Sequence, residues 1–179
     1  MSFVALLRAI NVGKRQIKMD ALRGMFEDMG YSNVRSYIQS GNVVFDTRAR
    51  NTDKMAARIS EHIESEVGFD VAVMVRTGEE IASIVEHNPF KHVELSKDII
   101  LYVSFLSEEP SVAAAAAFVD ASTEYEKYVV DGPEAYILRD RRNKESPFSN
   151  NYLEKMLGVR ATNRNWNTVN KLIGMSKAK

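Results

Sequence analysis

The chain has 179 residues, 45% of them hydrophobic, and its 24 basic side chains balance 24 acidic ones. That length lies between one large domain and two small ones, with enough apolar material for a sizeable core. It has no cysteine, which excludes a disulfide framework, a thiolate metal site and a cysteine nucleophile.

Residues 3–7 are a short apolar run bounded by a polar loop, which predicts a strand. The loop at 8–18 carries Arg8, Asn11, Gly13, Lys14, Arg15 and Lys18. Leu22, Met25, Phe26 and Met29 then recur at helical spacing, and Gly30 supplies a stop. Residues 34–39 and 42–45 are β-rich, with Ser40-Gly41 between them as a hairpin turn. Asn51 is an N-cap for a helix carrying Met55, Ile59, Ile63 and Val67, and Gly68 ends it. A strand at 71–75 completes a β-α-β-β-α-β order, the ferredoxin-like unit. A helix follows from Thr77 to about His87, stopped by Asn88-Pro89.

The second half repeats this order without evident sequence identity. It has a strand at 99–106 and a helix at 110–121 with an alanine run. A hairpin of 126–130 and 135–138 turns at Asp131-Gly132-Pro133, and a basic loop covers 139–149. A helix at 150–157, a short strand at 159–162 and a closing helix at 167–175 complete it. The expectation is an α+β fold of two ferredoxin-like (βαββαβ) units in tandem. Their expected limits are 1–88, with a linking helix, and 89–179, with a closing helix. A single mixed sheet is the alternative. The N-terminal apolar run is too short for a signal peptide and no run approaches the ~20 residues of a membrane span, so a cytoplasmic protein with no membrane partner is expected.

Charge is unevenly spread. Residues 1–50 carry eight basic and four acidic side chains, 51–138 six and seventeen, and 139–179 ten and three. Positive ends and a negative middle point to an anion site if the ends meet, or to a mixed surface if they simply attract the middle. Two places could carry an anion site. In the first, Arg8, Asn11 and Lys14 join Ser40 and Asn42 around two glycine turns, where freed amides and cations face a ligand. The competing role is turn formation. In the second, Arg139, Arg141, Arg142, Lys144, Arg160 and Arg164 accompany Asn165-Trp166-Asn167. There an aromatic can stack a base while cations meet phosphates. The competing role is Trp166 as a core anchor and Asn165 or Asn167 as a helix cap. No GxxxxGK[ST], GxGxxG or GxSxG pattern occurs, and His62, His87 and His92 lack ligand spacing. No cofactor and no metal are expected, and no catalytic residue is assigned.

Arg8-x-Ile10-Asn11-Val12-Gly13, Lys18-Met19, Gly30, Asn33-Val34 and the run from Tyr37 to Phe45 resemble the N-terminal signature of the domain-of-unknown-function 1697 family. Asn88-Pro89-Phe90 is similar to its midpoint motif, and Thr162-x-Arg164-Asn165-Trp166-Asn167-Thr168-Val169 to its C-terminal one. The chain departs from the family pattern where Ala9 and Lys14 replace glycine and Ser36 and Asn163 replace threonine. The resemblance implies two ferredoxin-like halves in a bacterial-type cytoplasmic protein, and no reaction or site residues. Three functions therefore stand open: a module binding a phosphate-bearing small molecule or single-stranded nucleic acid, an enzyme on a small anionic substrate, and a structural interaction protein. Oligomeric state stays open.

Overall fold

Phe3, Ala5 and Leu7 alternate with Val4 and Leu6 along the first strand, and all five are buried. A strand apolar on both faces belongs at the centre of a sheet. The computed structural model, which describes residues 1–177, places it there; Ala178 and Lys179, the end of the expected second unit, lie outside the described residues. The chain divides into two units. One is Met1–Ile84 with the end of the chain from Asn170, and the other is Val85–Val169.

In the first unit β1 (Ser2–Leu7), β2 (Ser32–Tyr37), β3 (Asn42–Asp46) and β4 (Val73–Thr77) form an antiparallel sheet in the order β2-β3-β1-β4. Phe3 pairs with Phe45 and with Thr77. Helices α1 (Met19–Asp28) and α2 (Thr52–Val67) supply Leu22, Phe26, Met55, Ile59 and Ile63 to a core with Phe3, Ala5, Leu7, Val43 and Phe45. Asn51 caps α2 through its side chain, accepting from the Lys54 amide at 2.8 Å, and Gly68 ends it in the left-handed region. Helix α3 (Gly78–Glu86) follows β4.

The second unit has the same plan. Strands β5 (Ile99–Leu106), β6 (Glu126–Asp131), β7 (Glu134–Asp140) and β8 (Ala161–Asn165) run antiparallel in the order β6-β7-β5-β8. Helices α4 (Val112–Asp120) and α5 (Asn150–Leu157) pack Phe118, Leu153 and Leu157 against Leu106, Tyr128, Ala135, Ile137 and Ala161. Helix α6 (Trp166–Lys177) follows β8 as α3 follows β4. Both sheets have the ferredoxin-like strand order, so the fold is α+β with one topology used twice. Among the described residues no helix is long and apolar enough to cross a membrane.

The structure differs from expectation at two strands. β8 begins two residues later than its apolar pattern suggests and takes in Thr162, Asn163, Arg164 and Asn165. Its register on β5, from Leu106↔Ala161 to Tyr102↔Asn165, decides this, because backbone pairing at a sheet edge outranks side-chain pattern. β7 extends through Arg139 and Asp140, which read as loop. Arg139 lies 3.3 Å from the Glu126 carboxylate across the hairpin. Glu126 is buried and also accepts from the Tyr128 and Ser146 hydroxyls, which ties the 141–149 loop to the sheet.

Candidate functional site

The two loops after β1 and between β2 and β3 meet at one end of the first sheet. The Leu7 amide donates to the Gly41 carbonyl at 2.8 Å. Asn11 bridges the loops: its Nδ2 donates to the Gln39 carbonyl and its Oδ1 accepts from the Ile17 amide, each at 2.8 Å. Asn42 is fully buried, and its Nδ2 donates to the Tyr37 carbonyl at 3.0 Å and the Ser40 hydroxyl at 2.9 Å. Gly41, at φ +77°, packs so tightly that a Cβ there would lie 2.8 Å from Leu7 Cβ. Lys14 stands exposed at the tip of a small hairpin closed by the Asn11 and Arg15 backbones, with Gly13 at φ +58°. Arg8 is half-buried and its amide donates to the Ala72 carbonyl at 2.8 Å. Asn11, Ser40 and Asn42 are thus brought together, with Asn11 tied across the loops to the Gln39 carbonyl and Asn42 to the Tyr37 carbonyl and the Ser40 hydroxyl.

These loops are also strained. Ala9, Asn11 and Ile38 all have positive φ. For a β-branched residue this is an outlier, and Ile38 is half exposed as well.

The second region lies at the opposite half of the chain. β5 starts at Ile99, yet its pairing with β8 begins only at Tyr102. Three residues of β5 therefore project past the end of β8, and the chain turns at Asn165 into α6. Beside this overhang is a cleft of about 400 Å³. The 95–97 loop, residues 99–102, Arg141 and the turn Asn165-Trp166-Asn167 line it. The loop is fixed by Ser96, whose hydroxyl accepts from the Asp98 and Ile99 amides at 3.2 and 3.1 Å. Arg141 is held in place by its amide, which donates to the Asp98 carbonyl at 2.8 Å.

Next to the cleft-lining Arg141, Asp140 and Arg142 pair with each other. Asp140 is engaged by Arg142, whose guanidinium donates to both carboxylate oxygens and holds the Asp140 carboxyl below its usual range. Asp140, then Asp98, in turn raise the Arg142 guanidinium above its ordinary value. Lys97 and Arg141, both exposed, are the cations that line the cleft. The first turn of α6 contains no acidic residue. Asn165 caps it through Oδ1, which accepts from the Thr168 amide at 2.8 Å. Trp166 is half-buried at the first helical position, where it lines the cleft. A helix N-terminus with its partial positive charge, two cations and an indole thus share one concave surface.

The other arginines expected beside Trp166 lie elsewhere. Arg160 is exposed just before β8, and its backbone exchanges bonds with Ser107. At ~3.3 Å per residue it is roughly 20 Å along the chain from Trp166. Arg164 is buried in β8 and donates to the Thr162 hydroxyl at 2.8 Å and the Asn163 carbonyl at 2.7 Å. Burial brings its guanidinium down to about 10. Lys97 was missed because it sits in a polar connector with no motif. Only the register of β5 on β8 brings it to Trp166.

A solved structure resembles the whole chain. It is that of the conserved bacterial protein SP0830 from Streptococcus pneumoniae, with a TM-score of 0.69 and 23% identity over 98% of each chain. That likeness bears on the fold. No curated protein matches the chain. Residues 1–136 match the family described as "Protein of unknown function (DUF1697)". The signature loops of the first unit lie inside that match, and the chain belongs to this family.

Proposed function

We propose that the protein binds a phosphate-bearing small molecule in the cleft of the second unit. The observation that carries this reading is the meeting of Lys97, Arg141 and the acid-free first turn of α6 in a cavity of about 400 Å³. Cavities of that size hold small ligands. A phosphate group accepts from helix-terminal amides and from cations at once, and its charge strengthens both kinds of bond.

The test uses the single tryptophan of the chain as its reporter. Trp166 fluorescence is titrated with ribose phosphate at low and moderate salt. The expected result is saturable binding that weakens with salt. Lys97→Ala and Arg141→Ala should each lower affinity about tenfold, the cost of one charge-assisted contact. If neither fluorescence nor calorimetry detects binding at low salt, the reading is wrong.

A further inference from the structure

We infer that the ligand is a nucleotide whose base stacks on Trp166. This rests on the phosphate reading above and adds the other half of the ligand. The cleft is not uniformly polar. Leu95 and Ile99, both partly exposed, form part of its lining, and Trp166 forms another part. A sugar phosphate would set hydroxyls against these apolar surfaces and leave their hydrogen bonds unmet. A planar base covers both, because every base has a π-face to lay on an indole.

The polar groups near Trp166 suit the edge of a base. Asn165 and Asn167 flank it in sequence and both are exposed in the same lining. The oxygen of Asn165 is committed to the Thr168 amide, so its NH₂ is the group that can face a ligand. Asn167 brings a full carboxamide, an acceptor beside a donor. That pairing matches the neighbouring donor and acceptor of an adenine edge. The cations do not lie on this turn. Lys97 comes from the loop before β5 and Arg141 from the end of β7. The side chains of the turn thus serve the base, while its helix-terminal amides and these two cations serve the phosphate.

The experiment compares adenosine monophosphate, ribose phosphate and adenosine, by Trp166 fluorescence and in parallel by calorimetry. Adenosine monophosphate should bind at least about tenfold tighter than ribose phosphate, the lower range expected for one stacked base. In Trp166→Leu, calorimetry should show that advantage lost. Trp166→Phe should keep most of it, which separates stacking from a folding defect. Equal affinity for adenosine monophosphate and ribose phosphate would overturn the nucleotide inference and leave the phosphate reading standing. Equal affinity for adenosine and adenosine monophosphate would overturn the phosphate reading instead. Binding of none of the three would overturn both.

Discussion

The junctions β4–α3 and β8–α6 occupy the same place in one topology, yet one is closed and the other open. Thr77, Gly78, Glu79 and Glu80 correspond in order to Asn165, Trp166, Asn167 and Thr168. In the first unit the Thr77 hydroxyl accepts from the Glu80 amide at 3.0 Å while the Glu80 carboxylate accepts from the Thr77 amide at 2.7 Å. This capping box brings its own anion to the helix N-terminus. In the second unit a neutral Asn165 does the capping, an indole replaces Gly78, and a carboxamide replaces Glu79. The strands differ as well. β1 begins one residue before its pair with Thr77, whereas β5 begins three before its pair with Asn165. The first-unit pocket by this junction has about 240 Å³ against about 400 Å³ in the second. A duplicated frame thus keeps its stability device in one copy and carries the candidate site in the other.

The contrast between the units can be pressed hardest at the hairpin turns. Gly41→Ala must place a Cβ against Leu7 and Ile10 at positive φ, which should cost about 3 kcal/mol. Gly132→Ala, at φ +55° with nothing within 4 Å, should cost about 1 kcal/mol. Denaturant unfolding of both variants measures the difference, and equal losses would mean the Gly41 contact relaxes. Alkaline titration gives the next test. Burial pushes up the phenols of Tyr128 and Tyr136 strongly in the second unit, aided by Glu126 and Glu134 respectively, and that of Tyr31 in the first. A phenol raised on folding gives stability that is full below about pH 10 and is lost as pH rises through its folded value. Arg164 acts in the opposite sense, since the penalty on its buried charge is relieved above about 10. The second unit should therefore loosen first above pH 10 by hydrogen exchange, and Tyr128→Phe should flatten that loss.

Smaller effects address the junctions themselves. Thr77→Ala breaks the capping box and should cost about 1 kcal/mol of stability with no change in ligand affinity. Asn167→Glu copies Glu79 into the second unit. It should gain about 0.5 kcal/mol by favouring the helix dipole, yet abolish phosphate binding by placing a carboxylate in the cleft. Thermal unfolding and the Trp166 titration read the two effects separately. A variant that is more stable and still binds would break the proposed role of this turn.

The duplicated frame was legible because both halves carry strong local signals. Asn51 and Gly68 bracket one helix, an alanine run marks another, and apolar spacing fills the first. β8 was shifted in reading because Thr162-Asn163-Arg164-Asn165 has no apolar alternation and is recruited by β5 alone. The candidate site was half legible. Trp166, with Arg141, Asn165 and Asn167, stood out as an aromatic among basic and amide residues. Lys97 did not, since its part depends on the overhang of β5, a long-range register that local pattern does not encode. In the first unit the glycine, asparagine and cation pattern marked a locked pair of loops. The strain at Ile38 was invisible, because an isoleucine in sequence predicts extended backbone. Ile38→Gly should therefore raise stability by about 1 kcal/mol.

The open space beside Gly132 has a use in protein engineering. A Cβ on Gly132 would meet nothing within 4 Å, so extra chain can be added on that side of the turn, between strands paired from Asp131↔Glu134 onward, provided the Pro133 carbonyl keeps its bond from the Leu106 amide. A reporter segment inserted there would ride on the strand next to β5. The counterpart at Gly41 offers no such freedom, so the two halves of one architecture differ sharply in where they can accept new sequence.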